Sequence, residues 1–205
     1  TNLIPYSEDF SDSSWTKNQA TITSGFSSPS VTLNATSFVA TGTDMWVRTS
    51  VNVGVGDNTE SVYVKGVGST IGKSVKFRAQ LIGTAIGTSS DVTAILTSDW
   101  QRIENNFNIT GAGTMFFRLD MPDVSTIGDE VLLWGAQIEA LPYSTSYIPT
   151  SGAIATRLAD SITGAGDSTT FNDSEGVLYA EIAINQNDSG TFRLISMRDA
   201  CNGVR

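Results

Sequence analysis

Aromatic and planar polar side chains recur at every second position of several short apolar segments in this sequence. In residues 45–51, for example, apolar positions alternate with Trp46 and Arg48. Because successive side chains of a β-strand point to opposite faces, we expect the apolar set of each segment to fill a core and the other set to meet solvent. The outward sets offer groups for stacking and hydrogen bonding, namely Trp46, Arg48, Tyr63, Lys65, Arg78, Gln80, Arg118 and Asp120.

The sequence contains few side chains that could catalyse the cleavage of a covalent bond. The chain has no histidine, the commonest general base and a frequent metal ligand. Its one cysteine, Cys201, cannot form an intrachain disulfide and is expected to be a buried thiol. A solvated turn explains the acidic residues Asp120, Asp123, Asp129 and Glu130, and the sequence contains no nucleophile elbow or phosphate-binding loop. We therefore expect no enzymatic activity.

The charge balance argues against two classes of binding partner, nucleic acids and anionic membranes. The net charge is −9, and the twelve basic residues are scattered along the chain. Nucleic-acid binding requires clustered Lys and Arg, so it is not expected, and neither is binding to an anionic bilayer. No apolar run approaches the roughly 20 residues of a membrane span, so we expect no membrane insertion. A low charged fraction with many Ser, Thr, Asn and Gly residues is typical of all-β extracellular or virion proteins.

The alternating segments predict β-strands, and helix signals are nearly absent. The predicted strands are 20–23, 31–33, 37–40, 45–53, 60–65, 75–82, 91–96, 101–109, 114–120 and 130–138. Short strands at this spacing, separated by Gly, Asn, Asp and Ser clusters, predict an all-β antiparallel sandwich.

The pattern changes after Ile138. Residues 139–170 are rich in Ser, Thr, Gly, Ala and Pro, and alternation returns only at 176–184 and 191–197. We therefore predict a sandwich over 1–140, a linker over 141–165 and an incomplete second β domain over 166–205, because two or three strands rarely form a stable sandwich alone.

Several blocks resemble known proteins. The segment "EVLLWGAQIEALPYSTSYIPTSGAIATRLAD" (130–160) is similar to a signature of bacteriophage structural proteins, in which a last strand of the form LWGAQ-E precedes TSYIPT. The N-terminal "NLIPYSEDFSDSSW" (2–15) resembles the start of jelly-roll carbohydrate-binding modules. "ESVYVKG" (60–66) and "TSDWQRIENNF" (97–107) resemble strands of the phage modules, and 171–197 resembles the first strands of a concanavalin A-like (laminin-G-like) sandwich.

The resemblance implies a jelly-roll that binds sugars on one open sheet face. Trp46 and Tyr63 would be the stacking platforms, with hydrogen bonds from Arg48, Lys65, Arg78, Gln80, Arg118 and Asp120. The alternative is that Trp46 and Tyr63 cover the sheet against a neighbouring subunit or domain.

Related jelly-rolls also hold a structural Ca²⁺ between the first and last strands, and the resemblance places Glu8, Asp9 and Glu139 there. The acidic residue expected inside the last strand is replaced by "LLWGAQ" in this sequence. Calcium is therefore a possible structural cofactor and not an established one.

The WGAQ…TSYIPT block itself predicts packing rather than ligand contact. Trp134 would close one sheet, Tyr143 and Tyr147 would pack the exit segment onto the sandwich, and Pro142 and Pro149 would stiffen it. Such a segment would act as a semi-rigid spacer to the next domain.

Together these features predict a non-catalytic virion protein, such as a phage tail fibre, tail spike or head fibre, that binds host cell-surface polysaccharide. The resemblance also implies other virion proteins as partners and a homotrimer. Two alternatives stay open: a purely architectural virion protein whose sandwich contacts other subunits, and an accessory module of a polysaccharide depolymerase.

Overall fold

A computed structural model describes residues 1–81, 84–121 and 126–158, and Thr1–Leu158 forms one compact unit. The predicted strands 176–184 and 191–197, the predicted second domain, Cys201 and Asp123 lie outside the described residues.

The described residues form eleven β-strands and one short 3₁₀ turn, Gly68–Thr70, with no α-helix among them. The strands are β1 (Trp15–Asn18), β2 (Ala20–Phe26), β3 (Ala35–Ala40), β4 (Trp46–Val53), β5 (Gly56–Val67), β6 (Ser74–Leu81), β7 (Ile86–Thr88), β8 (Ser90–Ile95), β9 (Gln101–Gly111), β10 (Gly113–Asp120) and β11 (Glu130–Glu139). In this part of the chain, no helix is long and apolar enough to cross a membrane.

The strands form two antiparallel sheets. The five-stranded sheet has the order β1-β4-β10-β6-β8, and the six-stranded sheet has the order β2-β3-β11-β5-β9-β7. The predicted all-β antiparallel sandwich is therefore confirmed, and its architecture is a jelly-roll.

Alternation along each strand supplies the core between the sheets. The apolar positions of β4, β6 and β10 point inward, and Val47, Phe77 and Leu119 have no exposed surface. An aromatic cluster joins the layers: Phe10 lies 4.6 Å from Trp15 and 5.6 Å from Phe38, and Trp15 lies 5.6 Å from Phe117, measured between ring centroids. Trp15 is thus a core residue that holds the start of β1 inside the sandwich.

Nine of the ten predicted strands overlap observed ones, and the segment 31–33 does not. Val31 adopts a left-handed backbone (φ 62°), its amide donates to the Ser28 carbonyl, and its side chain is 89% exposed. This segment is a turn, because the Val31 amide bonds to a carbonyl three residues earlier and not to a neighbouring strand. The short edge strands β1 and β7 were not predicted.

Residues 140–158, which we call the strap, fold back on the sandwich. Asn2 forms a β-bridge with Ala155, and Tyr6 forms one with Ser151. Thr150 is buried, and its hydroxyl accepts from the Ser7 amide and donates to the Ile4 carbonyl. The strap is therefore part of the first unit up to Leu158, and the linker predicted to start at 141 does not begin there.

A β-bulge in β11 explains part of the WGAQ sequence. Trp134 pairs with Tyr63 and Gln137 pairs with Ser61, so Gly135 and Ala136 together oppose one residue of β5. Gly135 adopts φ 65°, the left-handed conformation that glycine enters at little cost. Trp134 faces outward by alternation with the core residue Leu133, and the bulge shifts the alternation so that Ala136 and Ile138 face the core.

The buried Asn2 side chain links the bulge of β11 to the N-terminal segment and to the strap. Its amide nitrogen donates to the carbonyls of Ala136 and Ile148, and its oxygen accepts from the amides of Ile4 and Ile138. Every hydrogen-bonding position of this amide is therefore used.

A candidate binding face on the five-stranded sheet

The outer face of the five-stranded sheet carries six of the eight predicted site residues. Their positions follow from the strand register: Arg118 lies opposite Arg48 and Arg78, and Asp120 lies opposite Trp46. Gln80 lies opposite Phe116, one row further along. Because the neighbouring positions on each strand fill the core, these side chains share the opposite, solvent-facing side.

Aromatic rings and guanidinium groups stack on this face. The Arg48 guanidinium carbon lies 4.8 Å from the Trp46 ring centroid and 4.0 Å from the Phe116 ring centroid. Arg118 lies 4.8 Å from the same Trp46 ring. In the direction of the strands, Arg48 stands between the two rings, since Trp46 precedes it on β4 and Phe116 pairs with Ser50. These contacts fix the planes of the guanidinium groups.

An ion-pair chain runs across the strands from β10 to β8. Asp120 accepts from Arg118 Nε at 2.6 Å and from Arg78 Nη1 at 2.9 Å, so both carboxylate oxygens are engaged. Asp91 pairs with Arg78 at 3.3 Å and with Lys76 at 2.8 Å. These ion pairs link five of the six charged side chains of the face, and Arg48 is the sixth.

These contacts shift two protonation equilibria. The hydrogen bond to Asp120 raises the pKa of Arg78 above its ordinary value. Burial by itself would raise the pKa of Asp91, but the hydrogen bond from Lys76 and the charge of Arg78 outweigh it, and this pKa lies below its ordinary value. Both shifts favour the charged form, so Arg78 and Asp91 stay ionised at neutral pH.

Arg48 differs from the other cations of the face. No carboxylate of the described residues lies within ion-pair distance of its guanidinium. Its Nε is buried without an acceptor, as the Gln80 Oε1 is buried without a donor. Arg48 is thus held by its stacking contacts and keeps an uncompensated charge.

A cavity of about 260 Å³ opens where β10 and β6 meet the loop before β4. Its lining residues are Thr43, Asp44, Met45, Lys76, Arg78, Arg118, Asp120 and Met121. The ends of the ion-pair chain therefore border a recess next to Trp46, which pairs with Asp120. A small polar group could enter this recess.

Tyr63 and Lys65 do not belong to this face. Both lie on β5 of the six-stranded sheet, so the prediction of one shared face is wrong for these two residues. The Tyr63 ring packs 5.2 Å from Trp134, and Tyr147 of the strap lies 4.4 Å from Trp134 on the same side. Tyr63 thus takes part in packing the strap, and burial raises the pKa of Tyr147 above its ordinary value.

Three residues of the face were missed as site candidates, although the same alternation places them there. Phe116 supplies the second ring of the stack, and Lys76 and Asp91 extend the ion-pair chain. The signal for Phe116 and Lys76 was their outward position in 114–120 and 75–82. Asp91 could be found only once β8 was known to pair with β6.

The predicted calcium ligands do not form an oxygen cage. Glu139 is buried and accepts from Gln137 Nε2 and from the amide and hydroxyl of Thr145. Glu8 accepts from Asn34 and Tyr147, and Asp9 accepts from Ser11. In the described parts of the chain, no group of three or more acidic side chains is assembled. These carboxylates are used by protein donors and do not fit a shared Ca²⁺.

Solved structures with a similar fold include carbohydrate-binding modules. TmCBM61, solved with β-1,4-galactotriose, matches with a TM-score of 0.53 and 14% identity over 69% of this chain and 99% of that chain. The CBM22-1 xylan-binding domain of Paenibacillus barcinonensis Xyn10C matches with a TM-score of 0.53 and 14% identity, over 70% and 97%. The enzymatically active domain of bacteriophage CBA120 tailspike protein 4 gives a TM-score of 0.50 and 12% identity, over 68% of this chain and 21% of that chain. These likenesses establish the fold alone.

No protein-family model matches the sequence, and the comparison with curated proteins finds no match.

Proposed function

We propose that residues 1–158 form a non-catalytic carbohydrate-binding module that recognises glycans on the outer face of the five-stranded sheet. The observation that carries this proposal is the combination on that face of partly buried aromatic rings with planar polar side chains held in fixed orientations. Aromatic rings stack against the apolar side of a pyranose, and guanidinium, amide and carboxylate groups hydrogen-bond its hydroxyls. The fold likeness to modules solved with or named for oligosaccharides and xylan supports the same reading.

Absence of catalysis is part of the proposal. Glycoside hydrolysis requires two carboxyl groups across a cleft, one of them free to act as an acid. The carboxylates of this face, Asp91 and Asp120, are instead engaged by Arg and Lys side chains. Such carboxylates orient cations and are poor proton donors.

We further propose that the chain serves in a phage virion, where it attaches the particle to a host-surface polysaccharide as part of a homotrimer. The sequence resemblance to phage structural proteins supports this context. Linking several weak sites in one oligomer would raise the avidity for a repeating polymer.

The test is glycan-array binding by the full chain, wild type beside Trp46→Ala. Trp46 stands on the outer face and not in the core, so the variant is expected to fold and to lose binding by about tenfold or more, the loss of one stacking platform. Trp100→Ala is the matched control, since Trp100 precedes β9 of the other sheet, and it should bind as the wild type does.

Two results would contradict the proposal. Equal binding by wild type and a folded Trp46→Ala variant would remove this face as the site. No binding by the folded wild type, on an array that includes bacterial surface polysaccharides, would favour the architectural role, in which the face contacts other subunits.

A further inference from the structure

The binding face has more positive than negative charge, in contrast to the whole chain. It carries four cations, Arg48, Lys76, Arg78 and Arg118, and two carboxylates, Asp91 and Asp120, so its formal surplus is two positive charges. Asp44 at the rim of the recess accepts from Asn18 and reduces that surplus to one if it is counted with the face. The chain as a whole has a net charge of −9.

One of the two surplus charges lies on Arg48, and the other lies in the ion-pair chain, where three cations share two carboxylates. Lys76, Arg78 and Arg118 each pair with a carboxylate, whereas Arg48 has no such partner among the described residues. Its guanidinium is held between Trp46 and Phe116, so little side-chain entropy is left to lose when an anion binds. A fixed guanidinium with free amino groups is a fork that accepts a planar or tetrahedral anion through two parallel hydrogen bonds.

We propose that the glycan recognised on this face is acidic, with an anionic group of one sugar residue paired to Arg48 and the ring of the sugar lying against Trp46. This inference rests on the proposed function and specifies the substrate class of the same site. The anion could be the carboxylate of a uronic-acid residue or a sulfate or phosphate ester, since all three fit the guanidinium fork.

The acidity of the rest of the chain does not oppose this assignment. At physiological ionic strength the Debye length is about 8 Å, so charges on distant surfaces are largely screened from a ligand on this face. Contacts within the face decide the interaction. Repulsion between an acidic glycan and the negatively charged chain should mainly lower the association rate constant at low salt.

The test uses the full chain and an array of bacterial polysaccharides in which each uronic-acid polymer is paired with its carboxyl-reduced, neutral form. Dextran sulfate with dextran, and a phosphate-bearing polymer with its dephosphorylated form, separate the other anions. We expect the wild type to bind at least one acidic polymer about tenfold more tightly than its neutral form. In Arg48→Gln the ratio of the affinities for the acidic polymer and its neutral form should fall to about one.

Arg157→Gln is the control for the loss of one positive charge, because Arg157 is exposed on the strap. It should keep the full preference. Arg48→Lys keeps the charge but not the fork, and we expect it to recover only part of the preference. Thermal unfolding of each variant checks that the fold is intact.

The outcomes separate this inference from the proposed function. Binding that is equal for charged and neutral forms, or a preference unaffected by Arg48→Gln, overturns the acidic-glycan assignment and leaves glycan binding standing. Absence of binding to every polysaccharide overturns both. Saturable binding of poly-glutamate in place of any polysaccharide, lost in Arg48→Gln, would assign the anion site to an acidic protein partner and overturn the inference.

Discussion

Glu60 places a carboxyl group in the interior of the sandwich, with no exposed surface. Its Oε1 accepts from Asn105 Nδ2 at 2.8 Å, while its Oε2 and the Asn105 Oδ1 are buried without a donor. Burial raises the pKa of Glu60 well above its ordinary value of 4.5; the Asn105 hydrogen bond offsets this in part, and the charge of Asp91 adds to it. A protonated Glu60 supplies the donor that a carboxylate lacks at this position.

The raised pKa leads to a prediction for stability. Between pH 4.5 and the higher folded-state pKa, the folded protein binds a proton that the unfolded chain releases, so the contribution of Glu60 to stability falls as the pH rises. Glu60→Gln keeps the shape and cannot ionise. Urea unfolding at pH 4, 6 and 8 should therefore show a smaller loss of unfolding free energy with pH for Glu60→Gln than for the wild type.

The exposed Glu104→Gln, on the neighbouring strand β9, is the control for a general change of charge. It should follow the wild-type pH profile. Parallel profiles for the wild type and Glu60→Gln would mean that Glu60 ionises in the folded protein at no cost, contrary to its burial.

At the scale of single elements, β11 depends on one residue to make its bulge. A Cβ atom on Gly135 would lie 3.2 Å from Tyr147 Cε2 and 3.3 Å from Tyr63 Cδ2, and the backbone there is left-handed. An L-residue other than glycine pays about 1–2 kcal/mol for that conformation alone. The two rings that pack the strap would also have to move.

We therefore expect Gly135→Ala to lower the unfolding free energy by about 2–3 kcal/mol, the conformational cost plus the displaced rings. Gly54→Ala is the matched control, because a Cβ at Gly54 meets no atom within 4 Å. Its stability should lie within about 0.5 kcal/mol of the wild type. Chemical unfolding of the two variants measures both free energies. Equal unfolding free energies for Gly135→Ala and Gly54→Ala would contradict the requirement for glycine in the bulge.

The elements also set the limit of what the sequence could predict. Alternation identified most strands and the correct outward residues of β4, β6 and β10, because period two is imposed by the strand itself. It could not assign a strand to a sheet, since outward residues of both sheets follow the same pattern. Tyr63 and Lys65 were grouped with Trp46 for this reason, although β5 pairs with β11 and β9 in the other sheet.

Contacts between residues far apart in the chain could not be predicted from the sequence either. The unpaired state of Arg48 depends on where Asp91 and Asp120 direct their oxygens, and local sequence does not encode that choice. The strap looked like a linker because it is rich in Ser, Thr, Gly, Ala and Pro and lacks the alternation of a strand. Its attachment relies on hydrogen bonds of Asn2, Ser7 and Thr150 across more than 130 residues of chain.

For the whole molecule, the main consequence concerns where the folded unit ends. The strap covers Trp134, which is 5% exposed, and supplies the Ile148 carbonyl that accepts from Asn2. A chain cut at residue 140, the boundary predicted from composition, would leave this aromatic surface in water and the Asn2 amide short of a partner. Each loss is unfavourable, since apolar area is exposed and a buried polar group is unsatisfied.

We expect residues 1–158 alone to unfold in one cooperative thermal transition. Residues 1–140 should unfold at least about 10 °C lower or fail to fold, because losing several kcal/mol shifts the midpoint of a domain of this size by 2–4 °C per kcal/mol. Differential scanning calorimetry of the two fragments measures this. A third fragment, 1–158 carrying Tyr147→Ala, should melt between them, since it keeps the strap hydrogen bonds and loses the ring packed on Trp134. If 1–140 melted with 1–158, the strap would be an accessory segment and the unit would end at β11.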